Sequence, residues 1–418
     1  MNNSFIKSPP SMYKTLLLLI SMTFIANIAA AGNWRSERVI GGKLKTHVYV
    51  PDTAPAIDNK RGLMVSLHGC NQTNNDFKSG ANWRASADEY GMVIALPSAS
   101  KEGTSGVLLG CWNFHMGMDA DRNKTDAKYL IDMVNALLSD TSLNIDADQV
   151  YITGLSSGAG MANQIACLAP DVFAGVGINA GLAPGSEGRD LTDPIIQVFP
   201  GAENCYTLAG PFKSALYSQL YNNVHGTNDN LVSPLHADRN IQIFRAAYAG
   251  VPGGETDICS VYTLSGGGDV TTYCDNRGPR LSKIMVEGMG HAWSAGQGSS
   301  GSRHYIDHTH VNYPRYISGF FVENNRRVNA PITPTKVTLN AASTPFPTPY
   351  PEPTPGPCTE VTSNNIVHVL QNRAYVDFTK VYANGSEQLM GYYSIFTSTT
   401  LRSHALMPNY YYVGPCGS

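Results

Sequence analysis

Short apolar runs alternate with amphipathic stretches through the first three quarters of the chain. Leu63-Met64-Val65-Ser66-Leu67 is apolar almost throughout and stops just before a glycine. Residues 75–90 read as helix and end at Gly91, and Met92-Val93-Ile94-Ala95-Leu96 is stopped by Pro97. Apolar positions at Ala127, Leu130, Ile131, Val134, Leu137 and Leu138 repeat with a helical period over 126–139. A strand over Gln149-Val150-Tyr151-Ile152-Thr153 and a helix over 157–168 follow. Strands apolar on both faces, separated by helices, predict the α/β class with a doubly wound, mostly parallel sheet. In such sheets ligands sit at the carboxyl ends of the strands.

The two ends depart from this pattern. Residues 1–31 carry Lys7 and Lys14, then the apolar run Leu16–Ile20 continued by Met22, Phe24, Ile25 and Ala26, then Ala29-Ala30-Ala31. This is the pattern of a secretory signal peptide cleaved near Ala31. Ser21, Thr23 and Asn27 interrupt the apolar stretch, which falls short of the ~20 residues of a membrane span. A secreted chain with no membrane anchor after cleavage is expected. Residues 32–328 form the α/β domain of this reading, and 329–357 a Pro/Thr-rich linker. Within the linker, ASTPFPTPYPEPTPGP (342–357) favours extended polyproline II and reaches about 50 Å at ~3.1 Å per residue. Residues 358–418 form a small β-rich accessory module. Its strand-like runs are Ile366-Val367-His368-Val369, Ala374-Tyr375-Val376, Tyr392-Tyr393-Ser394-Ile395 and Tyr410-Tyr411-Tyr412-Val413, with Asn384-Gly385 as a turn.

Composition narrows the function. The 418 residues carry a net charge of −3 with 15% charged side chains, and no basic block of the kind a nucleic-acid binder needs. The eight cysteines all lie beyond residue 31, an even count that reads as four disulfides in a secreted chain. Neighbour order suggests Cys70–Cys111, Cys167–Cys205, Cys259–Cys274 and Cys358–Cys416. There is no CxxC pair for zinc, and the cluster His304, Asp307, His308 and His310 lacks the glutamate of an H-E-x-x-H site. Neither metal nor cofactor is expected.

Gly154-Leu155-Ser156-Ser157-Gly158 is a G-x-S-x-G sequence between an apolar strand and a helix, the setting in which a serine is presented on a sharp turn. A nucleophilic Ser156 needs a base, and the base an orienting acid. His236, His291, His304, His308 and His310 all lie far enough along the chain. His291 ends the run Lys283-Ile284-Met285-Val286-Glu287-Gly288-Met289-Gly290, a strand feeding a glycine-rich loop. Asp229, in His225-Gly226-Thr227-Asn228-Asp229, is the acid candidate, with Asp238 and Glu203 as alternatives. The oxyanion needs backbone donors. One is the Ser157 N–H, and the other is assigned to the Cys70 N–H in the loop Leu67-His68-Gly69-Cys70, where His68 is structural. Trp112, Asn113 and Trp293 are substrate-binding candidates, the two tryptophans for an apolar subsite.

With these residues in place the chain resembles the extracellular poly(3-hydroxybutyrate) depolymerase family of esterases. The motifs that carry the resemblance are Leu67-His68-Gly69-Cys70, Cys111-Trp112-Asn113, Gly154 to Met161, His225 to Asp229, and Gly288-Met289-Gly290-His291-Ala292-Trp293, spread over most of 36–326. The resemblance implies an α/β-hydrolase fold and an extracellular serine esterase without cofactor. Its nucleophile, acid and base fall on Ser156, Asp229 and His291, and its oxyanion loop on Cys70. His368-Val369, Met390-Gly391-Tyr392-Tyr393 and Thr399-Thr400-Leu401 resemble a C-terminal module of secreted bacterial polymer hydrolases. The stretch 195–224 reads less regularly, which leaves the strand before Asp229 open. The family grades into feruloyl and acetylxylan esterases, so two substrate classes stand. The expected partner is a polyester or other ester, including an insoluble polymer surface, met by a monomer.

Overall fold

A computed structural model describes Met1, residues 32–328 and residues 358–415. Within these it leaves out 115–119, 187–190, 251–253, 298–303, 372, 378–379, 384–388, 393, 395–396, 405–410 and 414. The proposed signal segment (2–31), the linker (329–357), the Asn384-Gly385 turn and Cys416 lie outside the described residues.

The strands β1 (Asn33–Trp34), β2 (Arg38–Ile40), β3 (Leu44–Val50), β4 (Arg61–Leu67), β5 (Val93–Pro97), β6 (Ile145–Leu155), β7 (Gly175–Asn179), β8 (Leu220–Gly226), β9 (Asp257–Leu264), β10 (Gly268–Asp275) and β11 (Gly278–Val286) build one sheet. Its order is β1-β3-β5-β4-β6-β7-β8-β11-β10-β9, with β2 on β3. From β5 to β11 every neighbouring pair is parallel, while β3 and the hairpin strands β10 and β9 are antiparallel. The expected parallel core is therefore present, with antiparallel edges that the apolar pattern did not disclose.

Helices cover both faces. They are α1 (Asn74–Gly80), α2 (Trp83–Tyr90), α3 (Gly103–Leu109), α4 (Thr125–Ser139), α5 (Ser157–Leu168), α6 (Val198–Ala209), α7 (Leu235–Ala249) and α8 (Tyr313–Asn324). Leu63, Val65 and Leu67 of β4 pack into one core with Leu130 and Val134 of α4 and Ile165 of α5. Met64 points into the other, with Trp83 of α2 and Phe321 of α8. A strand buried on both sides has no polar alternation to keep, and each such side chain contributes roughly 1.5–3 kcal/mol of burial.

In the large domain one expectation is corrected and one open stretch is resolved. The stretch 75–90 is two helices rather than one, because Asn82 takes a left-handed conformation (φ +61°) between α1 and α2. The irregular region 195–224 holds α6, a 3-10 turn (Gly210–Tyr217) and then β8, which is the strand before Asp229. Three of the expected disulfides are present: Cys70–Cys111, Cys167–Cys205 and Cys259–Cys274. They fit an oxidising compartment. Among the described residues no helix is long and apolar enough to cross a membrane.

Beyond the sheet come two short paired strands, β12 (Trp293–Ser294) and β13 (Ile306–Asp307). The C-terminal module contains β14 (Cys358–Asn364), α9 (Asn365–Leu370), β15 (Ala374–Asp377), β16 (Lys380–Ala383), β17 (Leu389–Tyr392), β18 (Ser398–His404) and β19 (Tyr412–Val413). They form two three-stranded antiparallel sheets, β14-β18-β19 and β15-β16-β17, around Ala374, Val381, Ala383, Met390 and Leu401. Ile366–Val369, expected as a strand, is helix α9. Asn364 caps it by accepting from the Val367 N–H at 3.0 Å, which overrides the strand preference of the β-branched residues.

Candidate active site

The parallel core collects the expected chemistry at one edge. Cys70 follows β4, Ser156 follows β6, Asp229 follows β8 and His291 follows β11, so all four sit beyond the carboxyl ends of their strands. β4 and β6 are neighbours, as are β8 and β11, with β7 between the two pairs.

Ser156 stands between β6 and α5 at φ +56°, ψ −116°, a conformation L-residues rarely adopt and one that costs on the order of 1–3 kcal/mol. The flanking glycines allow it. A Cβ on Gly154 would lie 2.4 Å from the Gly158 carbonyl carbon, and one on Gly158 would lie 2.6 Å from the carbonyl oxygens of Leu67 and His68. Strand, helix and the β4 loop therefore approach at backbone contact. The Ser156 N–H donates to Asn179 O at 3.0 Å, which anchors the turn to β7.

The β4 loop runs beside the serine, since a Cβ on Gly69 would be 3.4 Å from Ser156 Cβ. Its Cys70 is tied to Cys111. Among the described residues the Cys70 N–H has no acceptor. The Ser157 N–H, first in α5, has no intrahelical one. Both groups are free to donate. His68 is buried, with Nδ1–H on Gly69 O (2.8 Å) and Nε2 accepting from the Ala99 N–H (3.2 Å). Burial pushes its pKa down to about 4, so the ring is a neutral structural group.

His291 Nδ1–H donates to Asp229 Oδ2 at 2.7 Å. Asp229 Oδ1 accepts from the N–H groups of Leu231 and Val232, each at 2.9 Å. Burial raises the cost of the Asp229 charge, but hydrogen bonds from His225 and His291 outweigh it and hold the carboxyl below the usual range. An imidazole held through Nδ1 in this way leaves Nε2 on the side of the ring away from Asp229. Among the described residues no hydrogen bond joins His291 to Ser156 Oγ; such bonds are often long in unliganded enzymes. The alternatives lie elsewhere. Asp238 pairs with Lys283, Glu203 is exposed on α6, and His236 is buried, accepting from the Ala183 N–H at 3.0 Å. Asp307 is occupied by the turn to Thr309 and His310.

The aromatic subsite is corrected. Trp112 is 2% exposed with its indole N–H on His68 O (2.9 Å), and Trp293 is fully buried with its N–H on Ala81 O (3.1 Å). Rings enclosed this way brace loops and leave no face for a ligand. Asn113 is half-buried, and its backbone N–H donates to the buried Asp126 at 2.8 Å. Sequence reasoning missed two further side chains. His225 is fully buried, with Nε2 2.9 Å from Val232 O and 3.1 Å from Asp229 Oδ2. Gln72 bonds both the β4 loop and the segment after residue 303. The four-residue spacing of His225 and Asp229 was the one available hint.

Sheet order, strained serine turn and Asp–His pair together define an α/β-hydrolase. A family model described as "Esterase PHB depolymerase" matches residues 44–193. The chain is 32% identical to a poly(3-hydroxybutyrate) depolymerase of Ralstonia pickettii, over 92% of each chain. It is 26% identical to a poly(3-hydroxyalkanoate) depolymerase C of Paucimonas lemoignei, over 73% of this chain and 72% of the relative. A feruloyl esterase B of Talaromyces funiculosus is 25% identical over 52% of this chain and 61% of its own. The chain belongs to the poly(3-hydroxybutyrate) depolymerase family of esterases and is a carboxylic ester hydrolase.

Proposed function

We propose that the chain is a secreted depolymerase that cuts poly(3-hydroxybutyrate)-type polyester through a Ser156–His291–Asp229 triad. The observation that carries the substrate is the match to the Ralstonia pickettii enzyme. At 92% of this chain it leaves out fewer residues than the C-terminal module contains, so the likeness extends into that module. The residues at the sheet edge support the route. His291 Nε2 takes the Ser156 proton as Oγ attacks the ester carbonyl, and the N–H groups of Cys70 and Ser157 receive the oxyanion. The carbonyl re-forms as the alcohol leaves with the proton from His291. Water, activated by the same nitrogen, then hydrolyses the acyl-enzyme. Asp229 holds the tautomer throughout. Residues 1–31 direct export, 329–357 act as spacer, and 358–418 adsorb to the solid polymer and raise the local concentration of the catalytic domain.

The test is clearing of a poly(3-hydroxybutyrate) suspension by the full chain, by Ser156→Ala and by a chain ending at residue 341. Clearing that Ser156→Ala abolishes, and that truncation slows while soluble-ester turnover is kept, is the expected result. A second reading, an esterase for feruloyl or acetyl groups on carbohydrate, is supported by the feruloyl esterase match. A suspension left turbid while feruloyl or acetyl-sugar esters are cut would establish that reading instead.

A further inference from the structure

Gln72 lies two residues beyond Cys70 and is buried. Its Oε1 accepts from the Gly69 N–H at 2.8 Å. Its Nε2 donates to His304 O at 2.6 Å and reaches Tyr305 O at 3.5 Å. The partners fix the orientation of the amide, because a backbone N–H only donates and a carbonyl only accepts. At one end, Gln72 removes the Gly69 N–H from competition. Of the two successive N–H groups in this turn, the one on Cys70 is left to receive an oxyanion. At the other end, it holds the segment on which the base rests. The Trp293 backbone N–H donates to Tyr305 O at 2.8 Å, and Trp293 pairs with Ile306 across β12 and β13. The Tyr305 ring meets the His291 ring edge-on at 5.7 Å between centroids.

One amide thus joins the turn that carries the oxyanion donor to the segment that supports His291, across 232 residues of sequence. We infer that Gln72 is a positioning residue for ester hydrolysis, fixing the Cys70 N–H relative to His291; this rests on the roles proposed above for those two groups. Gln72 acts through Gly69 and Tyr305. Displacements of about 1 Å in a catalytic constellation cost up to about 10²-fold in rate.

Gln72→Glu keeps the acceptor for Gly69 and turns a carboxylate oxygen toward the His304 carbonyl. Gln72→Met keeps the volume and loses both bonds. With p-nitrophenyl butyrate, both variants should lower kcat about 10–10²-fold while KM stays within about threefold. Inhibition by an alkylboronic acid, which forms a tetrahedral adduct on the serine, should weaken by the same factor as kcat. A merely structural glutamine would lower the melting temperature and leave both readouts unchanged per folded molecule. Either variant, folded by circular dichroism, with kcat and boronate affinity within about twofold of the parent overturns the inference. If neither of these variants folds, Gln72→Asn, one methylene too short to span both partners, decides on the same two readouts. Undiminished turnover by Ser156→Ala would overturn the underlying site reading instead.

Discussion

Replacing Asp229 with asparagine keeps the shape of the side chain and removes its charge. The carboxylate is a pure acceptor at both ends. Oδ1 takes the N–H groups of Leu231 and Val232 at 2.9 Å, and Oδ2 takes His291 Nδ1–H at 2.7 Å beside His225 Nε2 at 3.1 Å. An amide must turn its NH2 toward one end. Turned toward Leu231 and Val232, it opposes two backbone donors that have no alternative form, at a cost of about 1–3 kcal/mol for each buried donor left unmet. Turned toward His291, it can be accommodated if the ring moves its proton to Nε2. The second arrangement is favoured, and it blocks the nitrogen proposed to accept the Ser156 proton. The expected loss in kcat is about 10⁴-fold with KM little changed, or about 5–6 kcal/mol of transition-state stabilisation. Steady-state kinetics on a soluble p-nitrophenyl ester, with circular dichroism to confirm folding, measures it. Stability supplies an independent sign. Because the Asp229 pKa is depressed on folding, its charge stabilises fully above the unfolded-state value of about 3.9 and ceases to do so as pH falls through the folded value. The parent should therefore lose stability below about pH 4 with a steeper slope than Asp229→Asn. A folded Asp229→Asn enzyme with kcat within about tenfold of the parent at neutral pH refutes the tautomer argument.

Asp275 is buried against Arg280 at 2.7 Å and against Arg326, and although burial opposes its charge these partners hold its pKa down to about 2. Asp275→Asn leaves two arginines unpaired at the far end of β10, so chemical denaturation should show a loss of about 3–5 kcal/mol with active-site kinetics unchanged. The parent's extra stability from this pair should vanish as pH falls from about 4 to 2, and a variant with the same acid profile would exclude the pair as its source. Replacing both Cys70 and Cys111 with serine opens a loop of 41 residues. Thermal melts should register a loss of about 4 kcal/mol in the chain-entropy picture. Turnover should fall as well, because the loop beside Ser156 loses its tie, and unchanged kcat would show that the bridge serves stability alone.

How much of this was legible follows from what each segment has to satisfy. β4, β5 and β6 were readable because both of their faces are buried, which forces apolar runs. β8 was not, since its centre is Asn222-Asn223, residues depleted in strands. Their partners lie far along the chain: Asn222 bonds Ser282 Oγ at 2.6 Å, and Asn240 donates to Asn223 at 3.0 Å. Nothing local announces such a pairing. The break at Asn82 and the cap at Asn364 were hidden for a related reason, as a single asparagine can override the periodicity around it.

The site divides along the same line. The serine turn was legible because the backbone itself demands Gly154 and Gly158, and a demand of the backbone must appear in the local sequence. Cys70 and His291 could be placed because each follows an apolar run, and topology puts ligands beyond strand ends; Asp229 was reached only through its own loop, His225-Gly226-Thr227-Asn228-Asp229, because β8 did not read as a strand. Trp112, Trp293, Gln72 and His225 were misread or missed. Trp112, Trp293 and Gln72 answer carbonyls far along the chain, His68 O, Ala81 O and His304 O, while His225 answers Asp229 four residues on, a spacing too common to single it out. An aromatic residue next to a motif looks the same in sequence whether it faces substrate or braces a loop. The difference lies in which remote carbonyl its N–H must meet, and only the folded chain specifies that. The braces are where substitutions should slow turnover without touching any group that contacts substrate, and Gln72 is the one that links both halves of the site.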